Sequence, residues 1–165
     1  MPSVPTVPEK KPLTEAEIPL AFLAFGLIFG TVISIPIFLI FSSIESTKTI
    51  LFTFMVLVTL IQILLNRADA KTYNVLSPII NGLTITVTTF YFANMMEAGR
   101  ISYESHPALG LVAGFLIWMA FKSVIEIYSL SKKKGILRSI ISVVLNIITI
   151  IFYTYIDNLI WLYIK

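Results

Sequence analysis

Five apolar runs, each at or near the roughly 20 residues that carry a helix across a hydrocarbon core of about 30 Å, leave this chain few folds to choose from. They extend over about Ile18 to Phe41, Thr49 to Leu65, Val75 to Met96, Pro107 to Leu130 and Ile136 to Ile160. Hydrocarbon supplies no partner to an exposed amide, so each run is expected to close its backbone hydrogen bonds internally, as an α-helix. The many β-branched residues of the last run would favour a strand in water but do not prevent a helix in lipid. The sequence is 57% hydrophobic and 13% charged, against about a quarter charged in ordinary soluble domains. At this length a water-soluble fold buries only about two-thirds of its unfolded surface, and so apolar a chain would aggregate. The expected fold class is therefore all-α, a polytopic integral membrane helix bundle of about five transmembrane helices.

Residues 1–17, with four prolines and mixed charge, predict a Pro-rich disordered tail, and the apolar run after them is too long for a signal peptide. Residues 18–165 form the bundle. Its connections are short, so consecutive helices are expected to be antiparallel neighbours. Five spans cannot divide into two equal inverted halves, which weakens a repeat-built transporter. Lys10, Lys11, Arg67, Lys71, Lys132, Lys133, Lys134 and Arg138 fall on one side, and Lys48, Arg100 and Lys165 on the other, with Lys122 inside a span. Eight basic residues against three place the N-terminus in the cytoplasm and the C-terminus outside, as a multi-pass protein of the cell membrane. Tyr153, Tyr155, Trp161 and Tyr163 then mark an outer aromatic belt.

Several chemistries are excluded. There is no cysteine, hence no disulfide, thiolate nucleophile or Cys-ligated metal. No nucleotide-binding, nucleophile-elbow, zincin or selectivity-filter motif occurs, and no cofactor is expected. The net charge of +3 comes from scattered cations and makes no nucleic-acid-binding face.

The residues that remain are few. Asp157 lies near the end of the last span, where a carboxylate is either an interfacial group paired with Asn158, Lys165 or an outer cation, the favoured reading, or part of a substrate or proton path. Lys122 and Glu126, four residues apart, share a helix face and can pair, with Lys122 expected to snorkel toward headgroups. A coupling site is the alternative, and it becomes the better reading if both residues face the bundle interior. Asn81 belongs with Pro78, Gly82 and a run of threonines to a polar seam along the third span. Pro36 and Pro78 are expected to bend their helices, with Ser34 or Ser77 near the freed carbonyls. His106 stands with Glu97, Arg100 and Glu104 in an outer loop, read as solvated. Gly26-x-x-x-Gly30 and Gly110-x-x-x-Gly114 let another backbone approach closely, and internal packing is expected at both.

With packing and topology signals but no convergent reactive set, the favoured function is an accessory, structural or assembly subunit of a larger membrane complex. Its partners are the bilayer and other membrane subunits, with anionic lipid attracted to Lys132, Lys133, Lys134 and Arg138. The alternative is a small transporter or permeation protein with a path along the third helix and Asp157. A membrane enzyme acting on lipid or quinone through Glu97, Glu104 or His106 comes third.

Overall fold

The structure, a computed structural model, describes Thr14 and residues 17–40, 44–97, 101, 106–130 and 136–163, with backbone only at 44–47, 106, 161 and 163. Five helices account for nearly all of them. These are α1 (Glu17–Ile40), α2 (Ile44–Leu65), α3 (Ala70–Glu97), α4 (His106–Val124) and α5 (Ile136–Tyr163), and α4 runs straight into a π-helical extension (Ile125–Leu130). The described residues are all-helical, and all five helices are long and apolar enough to cross a membrane.

Local chemistry explains where the helices begin and end. The Glu17 carboxylate accepts the Thr14 amide at 2.7 Å, half of a capping box. Asp69 is the N-cap of α3, its two carboxylate oxygens accepting the amide and the hydroxyl of Thr72 at 2.7 and 3.2 Å. The bond from the Thr72 amide stabilises the charged form and holds the Asp69 carboxyl below its ordinary value. With that cap, α3 starts at Ala70 and not at Val75. At the end of α2 the amides of Arg67 and Ala68 turn back to the carbonyls of Leu64 and Leu65, both at 3.0 Å, tightening the last turn. Helix α2 starts at Ile44, so part of the segment expected to be a tight turn, Ser42 to Lys48, is helical. Polar residues there need no burial to keep backbone hydrogen bonds. Both helices continue through Pro36 and Pro78, but neither Ser34 nor Ser77 bonds a freed carbonyl, since both hydroxyls are buried without a hydrogen-bond partner.

Helix α3 is the centre of the bundle, packed against α1, α2 and α4, while α5 closes the structure against α2 and α4. Helix α1 lies along α3 and not along its chain neighbour α2, a departure from the simple up-and-down order. Glycine explains that choice. A Cβ on Gly26 would run into the backbone of Ile79, one on Gly30 would meet the Thr86 Cβ at 2.9 Å, and one on Gly82 would lie 2.5 Å from the Leu23 carbonyl oxygen. The contacts advance together along both chains, so α1 and α3 run parallel and touch backbone to backbone. The Thr86 hydroxyl, which also bonds its own helix at Gly82, reaches the Leu27 carbonyl across this seam at 3.2 Å. Gly110 and Gly114 behave differently: a Cβ on either meets nothing within 4 Å, so the expected internal packing does not occur there.

The outside of the bundle is apolar, with Ile28, Leu39, Leu64, Ile117, Ile136 and Ile151 among the residues left exposed. The inside divides in two. Toward Glu97 the core is apolar and aromatic, with Leu51, Met55, Phe92, Met95, Phe115 and Ile156. Toward the α2–α3 connection it contains Gln62, Asn66, Ser77, Asn81, Lys122, Glu126, Arg138, Ser142 and Asn146, with a small apolar cluster around Tyr73 and Leu130.

Candidate functional site

Heptad-like spacing places the polar residues of α3 on one line. Tyr73, Ser77, Asn81, Thr84, Thr88 and Tyr91 recur at intervals of three and four, and all six are buried. At 1.5 Å per residue the line is about 27 Å long, close to the thickness of a hydrocarbon core. Thr84 and Thr88 donate their hydroxyl protons to the carbonyls of Ile80 and Thr84, each at 2.7 Å, which leaves their oxygens available as acceptors. A second line on α5, Ser142, Asn146, Thr149 and Tyr153, is buried as well.

Each half of the α3 line meets a charged cluster. In the first, Lys122 from α4 and Glu126 from its π-helical extension form an ion pair at 3.3 Å, with side chains only 2% and 0% exposed. Asn81 joins both: its amide nitrogen donates to Glu126 Oε2, and its Oδ1 accepts from Lys122 Nζ at 3.2 Å. Only one orientation of the Asn81 amide satisfies both neighbours, so the ring of three fixes it. Lys122 thus turns inward to a partner and does not snorkel outward. The wider turn of the π-helix begins at Ile125, next to Glu126, and such segments inside α-helices occur frequently at functional sites.

In the second cluster, Asp157 on α5 accepts the Tyr91 hydroxyl at 2.6 Å through Oδ1 and pairs with Lys48 of α2 at 2.7 Å through Oδ2. Asp157 is 2% exposed and the Lys48 side chain 39%, so the pair joins the interior to the surface at the Glu97 end. The partner is therefore an outer cation, Lys48. The Tyr153 ring lies 6.1 Å from that of Tyr91, and its hydroxyl is buried with no hydrogen-bond partner. Between the two clusters stand Phe92, Phe115 and Met119, the two rings meeting edge to face at 6.1 Å.

At the α2–α3 end, Arg138 is buried, although its place in the sequence suggested a surface cation. Its Nη2 donates to the carbonyls of Asn66 and Ala68 at 2.6 and 2.7 Å, and its guanidinium lies 4.4 Å above the centre of the Tyr73 ring. Its Nε and Nη1 have no protein hydrogen-bond partner, and neither do the side-chain atoms of Gln62 and Asn66 or the hydroxyls of Tyr73, Ser77 and Ser142.

Other expected residues stand apart. Glu97 is the last residue of α3 and exposed, and the backbone of His106 opens α4. The His106 side chain, and Arg100, Glu104, Lys132, Lys133, Lys134 and Lys165, lie outside the described residues, as does most of the 1–17 tail. Among the described residues, no three His, Asp or Glu side chains converge as metal ligands. The parts missed in the sequence are Gln62, Asn66, Tyr73, Tyr91, Ser142 and Asn146. The three-and-four recurrence of polar residues on α3 and α5 is the signal that finds most of them.

Comparison with protein-family models, curated proteins and solved structures finds no match to this chain.

Proposed function

We propose that this chain is a multi-pass membrane protein with its N-terminus and Lys132–Lys134 connection in the cytoplasm, and that it is a permeation protein whose interior carries protons. The observation that carries this reading is the buried polar line from Tyr73 to Tyr91, which joins the Lys122–Glu126–Asn81 ring to the Asp157–Tyr91–Lys48 pair. Ionisable side chains inside a lipid-facing bundle are costly and tend to form proton relays and ion paths. Asp157 connects with the surface through Lys48, and the Lys122–Glu126 ring opens onto the polar half of the interior. Threonine oxygens lie between. A purely structural ion pair would account for Lys122 and Glu126 but not for the buried, unpartnered hydroxyls and amides around them.

The test is proton flux in proteoliposomes that contain a trapped pH dye, driven by an imposed potassium diffusion potential. Wild-type protein is expected to acidify the lumen faster than protein-free vesicles. Glu126→Gln and Asp157→Asn, which keep shape and remove a titratable group, are expected to return the rate to the protein-free level. Wild-type vesicles no faster than empty ones would sink the reading.

The second reading, a subunit of a larger membrane complex, is favoured by α4. Gly110 and Gly114 meet nothing within the chain, and Ile117, Phe121 and Val124 continue the same outward apolar strip. A close helix–helix contact with another subunit fits such a strip. Gly110→Leu is then expected to leave the melting temperature of the isolated chain unchanged while releasing the partner during purification in mild detergent. A wild-type chain that elutes alone, monomeric and stable would remove this reading.

A further inference from the structure

The α2–α3 connection and the first turn of α5 enclose a cavity of about 660 Å³ lined by Asn66, Arg67, Asp69, Arg138 and Ser139, among others. Four features give it its chemistry. Arg138 is held in place, with Nη2 fixed on two carbonyls and its plane on Tyr73, while Nε and Nη1 have no protein partner. The side chain is only 3% exposed, so its guanidinium is largely stripped of water. Arg67 adds a second cation on the exposed rim. The first turn of α5, Ile136 to Ser139, borders the cavity with backbone amides that have no partner within the helix, at the positive end of a helix dipole. The one carboxylate in the lining, Asp69, is turned away onto Thr72 as the cap of α3.

A charged fork with spare donors, a second cation and a helix N-terminus converge in an open space far larger than a carboxylate. The geometry points to a binding site for a phosphoryl group in this cavity, contributed either by free phosphate or by a phospholipid headgroup at the membrane surface. Arginine suits that role because its planar fork matches oxyanion geometry. Arg138 supplies the buried contact, Arg67 closes the rim, and the amides of the α5 first turn accept the remaining oxygens. The site is distinct from the proton path: it requires neither Lys122 nor Asp157, and it binds whether or not the protein conducts.

The experiment uses the full chain in dodecyl maltoside, a phosphate-free detergent, and follows thermal unfolding by tryptophan fluorescence. Inorganic phosphate is titrated in one arm, phosphatidylglycerol in a second, and digalactosyl diacylglycerol, a lipid without phosphate, in a third. Wild-type protein is expected to be stabilised saturably by phosphate, by phosphatidylglycerol or by both, and not by the galactolipid. The responding arm identifies the source. Arg138→Gln is expected to raise the midpoint concentration by about tenfold or more, since a charge-assisted contact accounts for at least that factor. Arg67→Gln, at the exposed rim, should raise it about threefold and covers the case in which Arg138→Gln does not fold. The proposal is overturned if neither phosphate nor phosphatidylglycerol stabilises the wild type, if the galactolipid does so equally, or if the response survives both substitutions undiminished. Flux measurements leave this outcome untouched, so failure here and failure of the proton path can be told apart.

Discussion

Lys122→Met is expected to destabilise the bundle by about 3–5 kcal/mol, the usual consequence of leaving a buried carboxylate without its cation. Glu126→Leu should cost a similar amount by stranding the ammonium. The double variant, Lys122→Met with Glu126→Leu, should recover most of that loss, because two apolar side chains can replace a buried pair at little net cost. What it does not recover is the Asn81 amide, which loses both partners and is left buried at a cost of about 1–3 kcal/mol. Adding Asn81→Leu should remove that remainder. Unfolding in mixed micelles titrated with dodecyl sulfate measures the four stabilities. A double variant no more stable than either single one would show that the pair carries no coupling energy. The apolar triple variant separates folding from activity, since it should be stable and silent in the proton assay.

The second large effect is at the seam between α1 and α3. Gly82→Leu would put a Cβ 2.5 Å from the Leu23 carbonyl oxygen and 2.7 Å from the Leu27 nitrogen, both of them backbone atoms that no rotamer change can move aside. Overpacking commonly costs about 1–3 kcal/mol where side chains can adjust. Here α1 must move away from its principal neighbour and lose the Thr86–Leu27 hydrogen bond, so the cost should reach at least the upper end of that range. The same substitution at Gly110, where no atom lies within 4 Å, is the control. Thermal melts that respond equally to the two substitutions would refute the parallel contact.

The helices were legible because their length is set by a hydrocarbon thickness and their composition by the absence of water. Their ends were less legible. Hydropathy reports where apolar residues stop, not where backbone bonds stop, so the polar start of α2 and the Asp69-capped first turn of α3 fell outside the expected spans. The Lys122–Glu126 spacing announced a pair, but not which way it faced. In water an amphipathic pattern distinguishes inside from outside; around this bundle both sides of α4 are apolar, and only the contact with Asn81 decides. Lys48 and Asp157 are distant in the chain, and no local pattern links them. Gly82 and Thr86 do form a small-residue pair of the same spacing as Gly26 and Gly30, and that pairing was readable.

The parallel seam between α1 and α3 also bears on how the polypeptide is assembled as it is made. Gly26 leaves the ribosome before any of its partners exists, and Gly82 follows only after all of α2 has been synthesised, several seconds later at about 5–20 residues per second. Through that interval the first helix waits in the bilayer without its docking surface, its bare glycine stripe open to any other protein nearby. A chaperone that shields that stripe, or a quality-control factor that reads its persistence as failed assembly, would find its target there.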